Sequence, residues 1–153
     1  GAGIGKVSEI LECSHGEAKH SVERFIEFYP GLKLLKDSKI PKDAERGYFE
    51  GLDKRLVICD NNHKMLAGYL QNGEKVIMAT ALPIWREKLL KDKIYHIPRN
   101  FVHDDWLNET SPDLADVIGK IQADAIVQAG IELQLNCPLA AQYKIGRNWL
   151  ESH

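Results

Sequence analysis

Apolar positions recur every three or four residues near the start of the chain. Ile4, Val7, Ile10 and Leu11 share one face, and Ala18, Val22, Phe25 and Ile26 share another, so the spacing predicts helix over residues 4–28 with a break between two segments. The break is Cys13-Ser14-His15-Gly16-Glu17, where Ser14 can cap the second segment and Glu17 completes a capping box. Tyr29-Pro30-Gly31 closes the region. Two helices in this order suit a helix-turn-helix, but no basic residues gather at the start of the second one, so a DNA-reading role lacks support there. Residues 31–54, with Pro41, Gly47 and Gly51, read as a connector holding a short helix around 43–49.

Beyond the connector the period changes. Arg55-Leu56-Val57-Ile58-Cys59 is a short β-branched run closed by Asp60-Asn61-Asn62 and reads as a strand, with a second strand expected at 75–80. Between them, residues 63–70 fit a helix with Met65, Leu66, Tyr69 and Leu70 on one side. They fit equally well the return strand of a hairpin turning at Asn61-Asn62. Pro83 opens an expected helix running to about residue 91, a short strand is expected at 95–97, and 98–110 reads as polar loop. Ser111-Pro112-Asp113 then starts the clearest helix: a cap, a proline at the first helical position and an acid at the positive end of the dipole. Leu114, Val117, Ile118, Ile121, Ala125 and either Gln128 or Ala129 form its expected core face. Gly130 is a point where it ends or kinks, and Asn136-Cys137-Pro138 is a stop before a last amphipathic piece with Leu139, Tyr143, Trp149 and Leu150. The order reads as α+β, with a small central sheet, N-terminal helices and a helical C-terminal third.

The 153 residues suit a single domain, 1–153, in which Gly1-Ala2-Gly3 resembles a cloning remnant. With 44% apolar and 27% charged residues and a formal charge of −2, the composition is that of a soluble globular chain, neither disordered nor broadly basic. Charge is uneven. Residues 61–100 carry seven Lys or Arg against three Asp or Glu, whereas 101–153 carry three against eight, which permits an anion site in the middle. No apolar run approaches the length of a membrane span. Three cysteines without Cys-x-x-Cys spacing argue against a disulfide framework and for a reducing, intracellular compartment, cytoplasm or nucleus.

The densest chemistry is Asp60-Asn61-Asn62-His63-Lys64-Met65-Leu66-Ala67, placed after a strand. It resembles the ParB and sulfiredoxin-like family, in which a strand ends in an Asp-Gly-x-His-Arg-x-x-Ala type motif that opens a helix. The resemblance spans 55–80. It implies a nucleotide phosphate site lined by Asn61, Asn62, His63 and Lys64, with Asp60 orienting the loop or holding Mg²⁺, and Asp60 and His63 as the catalytic pair. A nucleoside triphosphate with Mg²⁺ is the implied cofactor, and a nucleotide-dependent phosphotransferase or hydrolase the implied activity. Free N–H groups at a helix start do suit phosphate. Three departures bear on this. Asn61 replaces the glycine, Lys64 replaces the arginine and loses bidentate recognition, and Asn62 stands where sulfiredoxins carry their reactive cysteine.

Other constellations are thinner. His103-Asp104-Asp105 has the His-x-Asp spacing of a facial triad, with His153 as the nominal second histidine, but that chemistry needs a strand-rich scaffold; a polar loop anchored by Trp106 is the simpler expectation. Cys13, Cys59 and Cys137 sit in apolar company and read as inert thiols. The alternative to the phosphate site is a non-catalytic module that binds a protein partner through its terminal helices, or a nucleic acid. The choice turns on 63–70: helix keeps the phosphate site, strand removes it.

Overall fold

A computed structural model describes residues 3–59 and 61–152, the side chains of Asn62 and His63 excepted. The chain forms two compact units, one up to Asn72 and one from Gly73. The architecture is α+β: helices first, two small antiparallel sheets, and a helical final third. Among the described residues, no helix is long and apolar enough to cross a membrane.

In the first unit, α1 (Ile4–Ile10) and α2 (His15–Phe28) are separated at the expected break. Ser14 is extended; its hydroxyl accepts the Glu17 N–H at 3.3 Å, while the Glu17 carboxylate accepts the Ser14 N–H at 2.9 Å. The Ser14 hydroxyl also donates to the Glu17 carboxylate at 2.7 Å; that bond first, and then the one from the Ser14 N–H, hold the Glu17 carboxyl below its ordinary range. Tyr29 breaks α2 because the following proline disfavours helical geometry at that residue, yet Pro30 then serves as the first residue of α3 (Pro30–Leu34). One wide π-type turn, Leu35–Lys39, leads into α4 (Ile40–Arg46), which stops where Gly47 takes a left-handed φ of 76°. The connector is therefore largely helical, and its helix lies a few residues ahead of the expected 43–49.

β1 (Tyr48–Glu50) pairs with β2 (Leu56–Ile58), Phe49 opposite Val57. The strand expected at 55–59 is present, but its partner precedes it in sequence. Phe49, Met65 and Ile40 form the core of this unit, and Phe49 stacks on Tyr69 with ring centres 4.1 Å apart. Beneath that stack sits the buried Asp43, which accepts the Tyr69 hydroxyl and faces Lys39 at 3.3 Å and Arg46 at 3.8 Å.

The strand expected at 75–80 is helix. α5 (Asn62–Lys91) takes in 63–70, 75–80 and the proline at 83. Buried Met78, Ala81, Trp85 and Leu89 recur at helical spacing, and this longer period overrides the β-branched look of Val76, Ile77 and Thr80. Thr80 is further accommodated because its hydroxyl donates back to the Val76 carbonyl at 2.9 Å.

In the second unit, β3 (Ile97–Val102) and β4 (Asp105–Glu109) form a hairpin where a loop was expected at 98–110; the short strand expected at 95–97 begins only at Ile97. The register shifts at Arg99, a bulge that spoils the alternation and hides the strands from a period-two reading. α6 (Pro112–Glu132) follows, with Pro112 in the first turn as expected, although Ser111 makes no side-chain cap bond. Ile118, Ala125 and Ala129 are buried against Ala81, Trp85 and Leu89, and Trp106 packs on the same cluster. Val117 points outward, and Gln128 is exposed.

The expected last amphipathic piece is a run without regular secondary structure, with helix only at α7 (Trp149–Ser152). Two glycines explain it. A Cβ on Gly130 would lie 2.9 Å from the Leu139 side chain, and one on Gly119 only 2.3 Å from the Tyr143 ring. The run thus lies along α6, pressing Leu139 and Tyr143 into two glycine hollows, and the Tyr143 hydroxyl donates to Asp116 at 2.7 Å. That bond first, and the negative charge around it, hold the Tyr143 phenol above its ordinary range. Gly119→Ala is expected to expel the ring and cost about 1–3 kcal/mol, as overpacking does. Spectroscopic titration of the phenols checks it: the variant should lose one high-titrating tyrosine, and an unchanged titration curve would contradict the packing.

Candidate functional site

α5 begins at Asn62, directly after β2, so the helical alternative for 63–70 is the one adopted. Asn61 and Lys64 are exposed beside that helix start, the Lys64 N–H bonding the Asn61 carbonyl at 3.0 Å. Asp60 lies outside the described residues, as do the side chains of Asn62 and His63. Cys59 is half-buried, and its thiol donates to the Asn61 carbonyl at 3.5 Å; Cys13 is also half-buried, while Cys137 is exposed, contrary to the apolar setting expected of it. All three are free thiols.

The second unit carries the larger feature. An open groove of about 1180 Å³ runs between β4 and the irregular run at 141–148 with α7, floored by one face of α6. At one end stands the hairpin tip. Val102 pairs with Asp105, leaving His103 and Asp104 as a two-residue loop, and His103 holds a left-handed φ of 54°. Such a loop prefers glycine at its first position, so His103 sits in a conformation that costs energy and persists because the strands on either side fix it. The result is two successive carboxylates, Asp104 and Asp105, both exposed on a rigid turn at the rim of the groove. The nominal triad partner His153 is outside the described residues. Trp106 does anchor the hairpin, with its ring 5.6 Å from that of Trp85.

Cations line the groove as well. Arg99, thrown out by the bulge, binds Glu109 through Nε at 2.7 Å, and Lys144 and Arg147 line the opposite side. Several polar atoms here are buried without a hydrogen-bond partner: Trp106 Nε1, both amide atoms of Asn108, and Gln122 Nε2. Among the described residues, no group of three His, Cys, Asp or Glu is gathered as a metal cage. Hard oxygen donors on a turn can still hold Mg²⁺ with one or two carboxylates, the remaining positions being water and substrate phosphate. Sequence reasoning did not find the groove. Arg99, Asn108, Gln122 and Tyr143 carry no motif, and only His103 with the acids at 104 and 105 signalled the tip.

No family model matches the chain. Over its whole length it is similar to the DNA-directed DNA polymerase of Escherichia phage Phieco32, at 26% identity and covering 26% of that protein. It is also similar to the DNA-directed DNA polymerase of Enterobacteria phage T3, at 22% identity, again over the whole chain and 25% of the relative. The POL domain of Pol1 from M. smegmatis, solved in complex with DNA primer-template and dNTP, superposes on 84% of this chain with a TM-score of 0.67 at 16% identity, using 25% of its own length. The chain spans about a quarter of the length of the curated relatives it matches. These likenesses run through all the elements, and they overturn the ParB and sulfiredoxin-like resemblance, which rested on residues 55–80 alone. A strand followed by a helix that opens with a His and a cation is a local arrangement that unrelated folds share.

Proposed function

We propose that this chain is a portion of a template-dependent DNA polymerase and that its β3–β4 tip takes part in holding Mg²⁺ against dNTP and primer. The observation that carries the reading is the pair Asp104 and Asp105 on a rigid, strained turn at the rim of a groove, in a chain similar throughout to polymerases. Phosphoryl transfer asks little covalent chemistry of a protein; it asks for positioning and for charge stabilisation. A divalent ion bound there supplies the latter, neutralising charge on the transferring phosphate. The protein's share is to fix two oxygen donors on backbone that cannot drift, which the two-residue loop does. Arg99, Lys144 and Arg147 add positive charge along the same groove, suited to the phosphates of a nucleic acid.

The start of α5 belongs to the same reading as a separate phosphate contact. The helix start itself and the exposed Lys64 support it, with Asn61, Asn62 and His63 as further donors and Asp60 as an orienting or metal-holding group. Lys64→Ala should then weaken primer-template binding uniformly across sequences and lower its salt slope by about one.

The direct test uses Mn²⁺ as the probe, followed by water-proton relaxation, together with anisotropy of labelled primer-template. Asp104→Asn with Asp105→Asn should weaken Mn²⁺ binding by at least about tenfold, the loss that even outer-shell partners produce. Unchanged Mn²⁺ affinity in the double variant would end the metal reading, and absence of DNA binding at 50 mM salt would end the polymerase reading.

A further inference from the structure

The end of α2 carries a surface that the packing of the first unit leaves unused. Phe25, Phe28 and Tyr29 are all exposed there, Phe28 at 78%. Their rings meet: Phe25 and Tyr29 have centres 4.9 Å apart, and Phe28 stands edge-on to Tyr29 at 5.2 Å. Single exposed apolar residues are ordinary, but rings gathered into one patch with a polar rim mark a place where something binds. The rim selects the partner. At about 100° per helical residue, Arg24, Phe28, Phe25 and Tyr29 fall within one arc of about 140°, and Glu23 and Glu27 lie outside it. Glu17, an acid inside the arc, has its carboxylate engaged by Ser14. Lys33 follows one turn on, its N–H bonded to the Tyr29 carbonyl at 3.1 Å, and Lys36 lies in the π-type turn beyond. Among the described residues, Arg24, Lys33 and Lys36 are exposed cations with no carboxylate at ion-pair distance, whereas Lys19, on the other side of α2, is paired with Glu23.

We propose that the end of α2 is a platform for single-stranded DNA, on which bases stack against Phe28 and its neighbouring rings while the phosphates run past Arg24 to Lys33 and Lys36. Exposed rings beside unpaired cations are the two parts such a surface needs, one for base faces and one for the backbone. A duplex keeps its base faces inside its own stack, so rings this open favour the single strand. A purely apolar protein surface would desolvate the three cations without repaying them. The choice of DNA rests on the polymerase reading above, since a primer-template carries unpaired template; the rings and the cations stand without it. Binding is tolerant of sequence, because every base has a face to offer.

The test is fluorescence anisotropy with three labelled probes: a thymidine strand of about twelve nucleotides, an abasic strand of the same length, and a blunt duplex. Phe28→Ala should weaken binding of the thymidine strand by about five- to a hundredfold, the worth of one stacked base, and leave the abasic strand and the duplex unchanged. Phe28→Trp, with a larger face, should bind at least as tightly as the parent. Arg24→Gln with Lys33→Gln should weaken both single strands and lower the salt slope by about 1.4, two contacts at about 0.7 each. These positions lie outside the cluster of Ile40, Phe49 and Met65, so the thermal midpoints should hold. The proposal is overturned if the parent does not bind the thymidine strand, or if Phe28→Ala leaves that binding unchanged or weakens the abasic strand as much. It is overturned as well if Phe28→Ala turns a concentration-dependent dimer into a monomer with DNA binding intact, which would make a second copy the occupant. Mn²⁺ and primer-template binding measured on the same samples separate the two readings. Intact Mn²⁺ and primer-template binding with no Phe28 effect sinks only the platform; a Phe28 effect on the single strand without Mn²⁺ binding sinks only the catalytic assignment.

Discussion

Trp85→Ala should lower the stability of the second unit by about 3–5 kcal/mol, the cost of deleting a buried tryptophan side chain whose surroundings collapse only in part. Trp85 is 2% exposed at the centre of the cluster formed by Ala81, Leu89, Ile118, Ala125 and Ala129. Its ring also meets Trp106 at 5.6 Å and His96 at 5.5 Å, so its loss loosens the base of the β3–β4 hairpin as well as the contact between α5 and α6. Because Nε1 has no hydrogen-bond partner, the loss is one of packing alone. Amide exchange within α6 should accelerate by roughly two to three orders of magnitude, since each 1.4 kcal/mol is a factor of ten. Trp149→Ala is the comparison: at 47% exposure its removal should cost well under 1 kcal/mol. A Trp85 variant no less stable than the Trp149 one would refute this account of the core.

The second large effect concerns charge. Asp43 is buried, and burial alone would raise its carboxyl; the Tyr69 hydroxyl, Lys39 and Arg46 outweigh that, and its pKa is lowered. The same cluster works on its partners: the bond to Tyr69 first, and then Asp43, raise the Lys39 ammonium, while burial and Asp43 raise the Tyr69 phenol. A lowered carboxylate adds stability that is fully present above the unfolded value, about 3.9, and is lost as pH falls through the folded one. Replacing Lys39 and Arg46 together by Met leaves a carboxylate 5% exposed with Tyr69 as its remaining support. The expected cost near pH 7 is about 3 kcal/mol, at the low end for an uncompensated buried charge because the hydroxyl still donates. The sign of the pH dependence should reverse. With burial now dominant, the folded pKa lies above the unfolded one, so the variant regains stability on acidification where the parent loses it. Urea unfolding at pH 7 and pH 4 reads both slopes, and parallel slopes would refute the assignment.

How much of this was visible beforehand follows from how each element ends. The α1–α2 break was legible because a side chain makes it: Ser14 and Glu17 are the signal and the mechanism at once. The start of α6 was legible for the same reason, through Pro112. So was the end of α2, through Pro30, and the end of α5 was expected at about residue 91, where it falls; the residues that close three of the helices carry no such signal. α1, α5 and α6 each close with the same crossed pair of backbone bonds around a left-handed residue, and those residues are Glu12, Lys93 and Gln134 rather than glycine. Nothing in their chemistry announces a stop. α5 shows the opposite failure, since Pro83 and a β-branched run invite a boundary and a strand that thirty residues of helical packing override. At the candidate site the acids at 104 and 105 could be seen, but the groove depends on a bulge at Arg99 and on a tail lying along a helix. Neither is written in a local pattern.

That tail also sets a rule about length. Gly119 and Gly130 are eleven residues apart, three helical turns, so their hollows face the same way about 16 Å from each other along α6. Leu139 and Tyr143, four residues apart in an extended chain, span roughly 13 Å. The two side chains reach outward to bridge the remaining distance of about 3 Å between their spacing and that of the hollows, so there is no slack, and a single residue deleted at 140–142 unseats one whenever the other is seated. Segments without regular structure usually drift in length among related chains. This one should not shorten while its residues change, and a library of one-residue deletions should find it among the least forgiving stretches of the molecule.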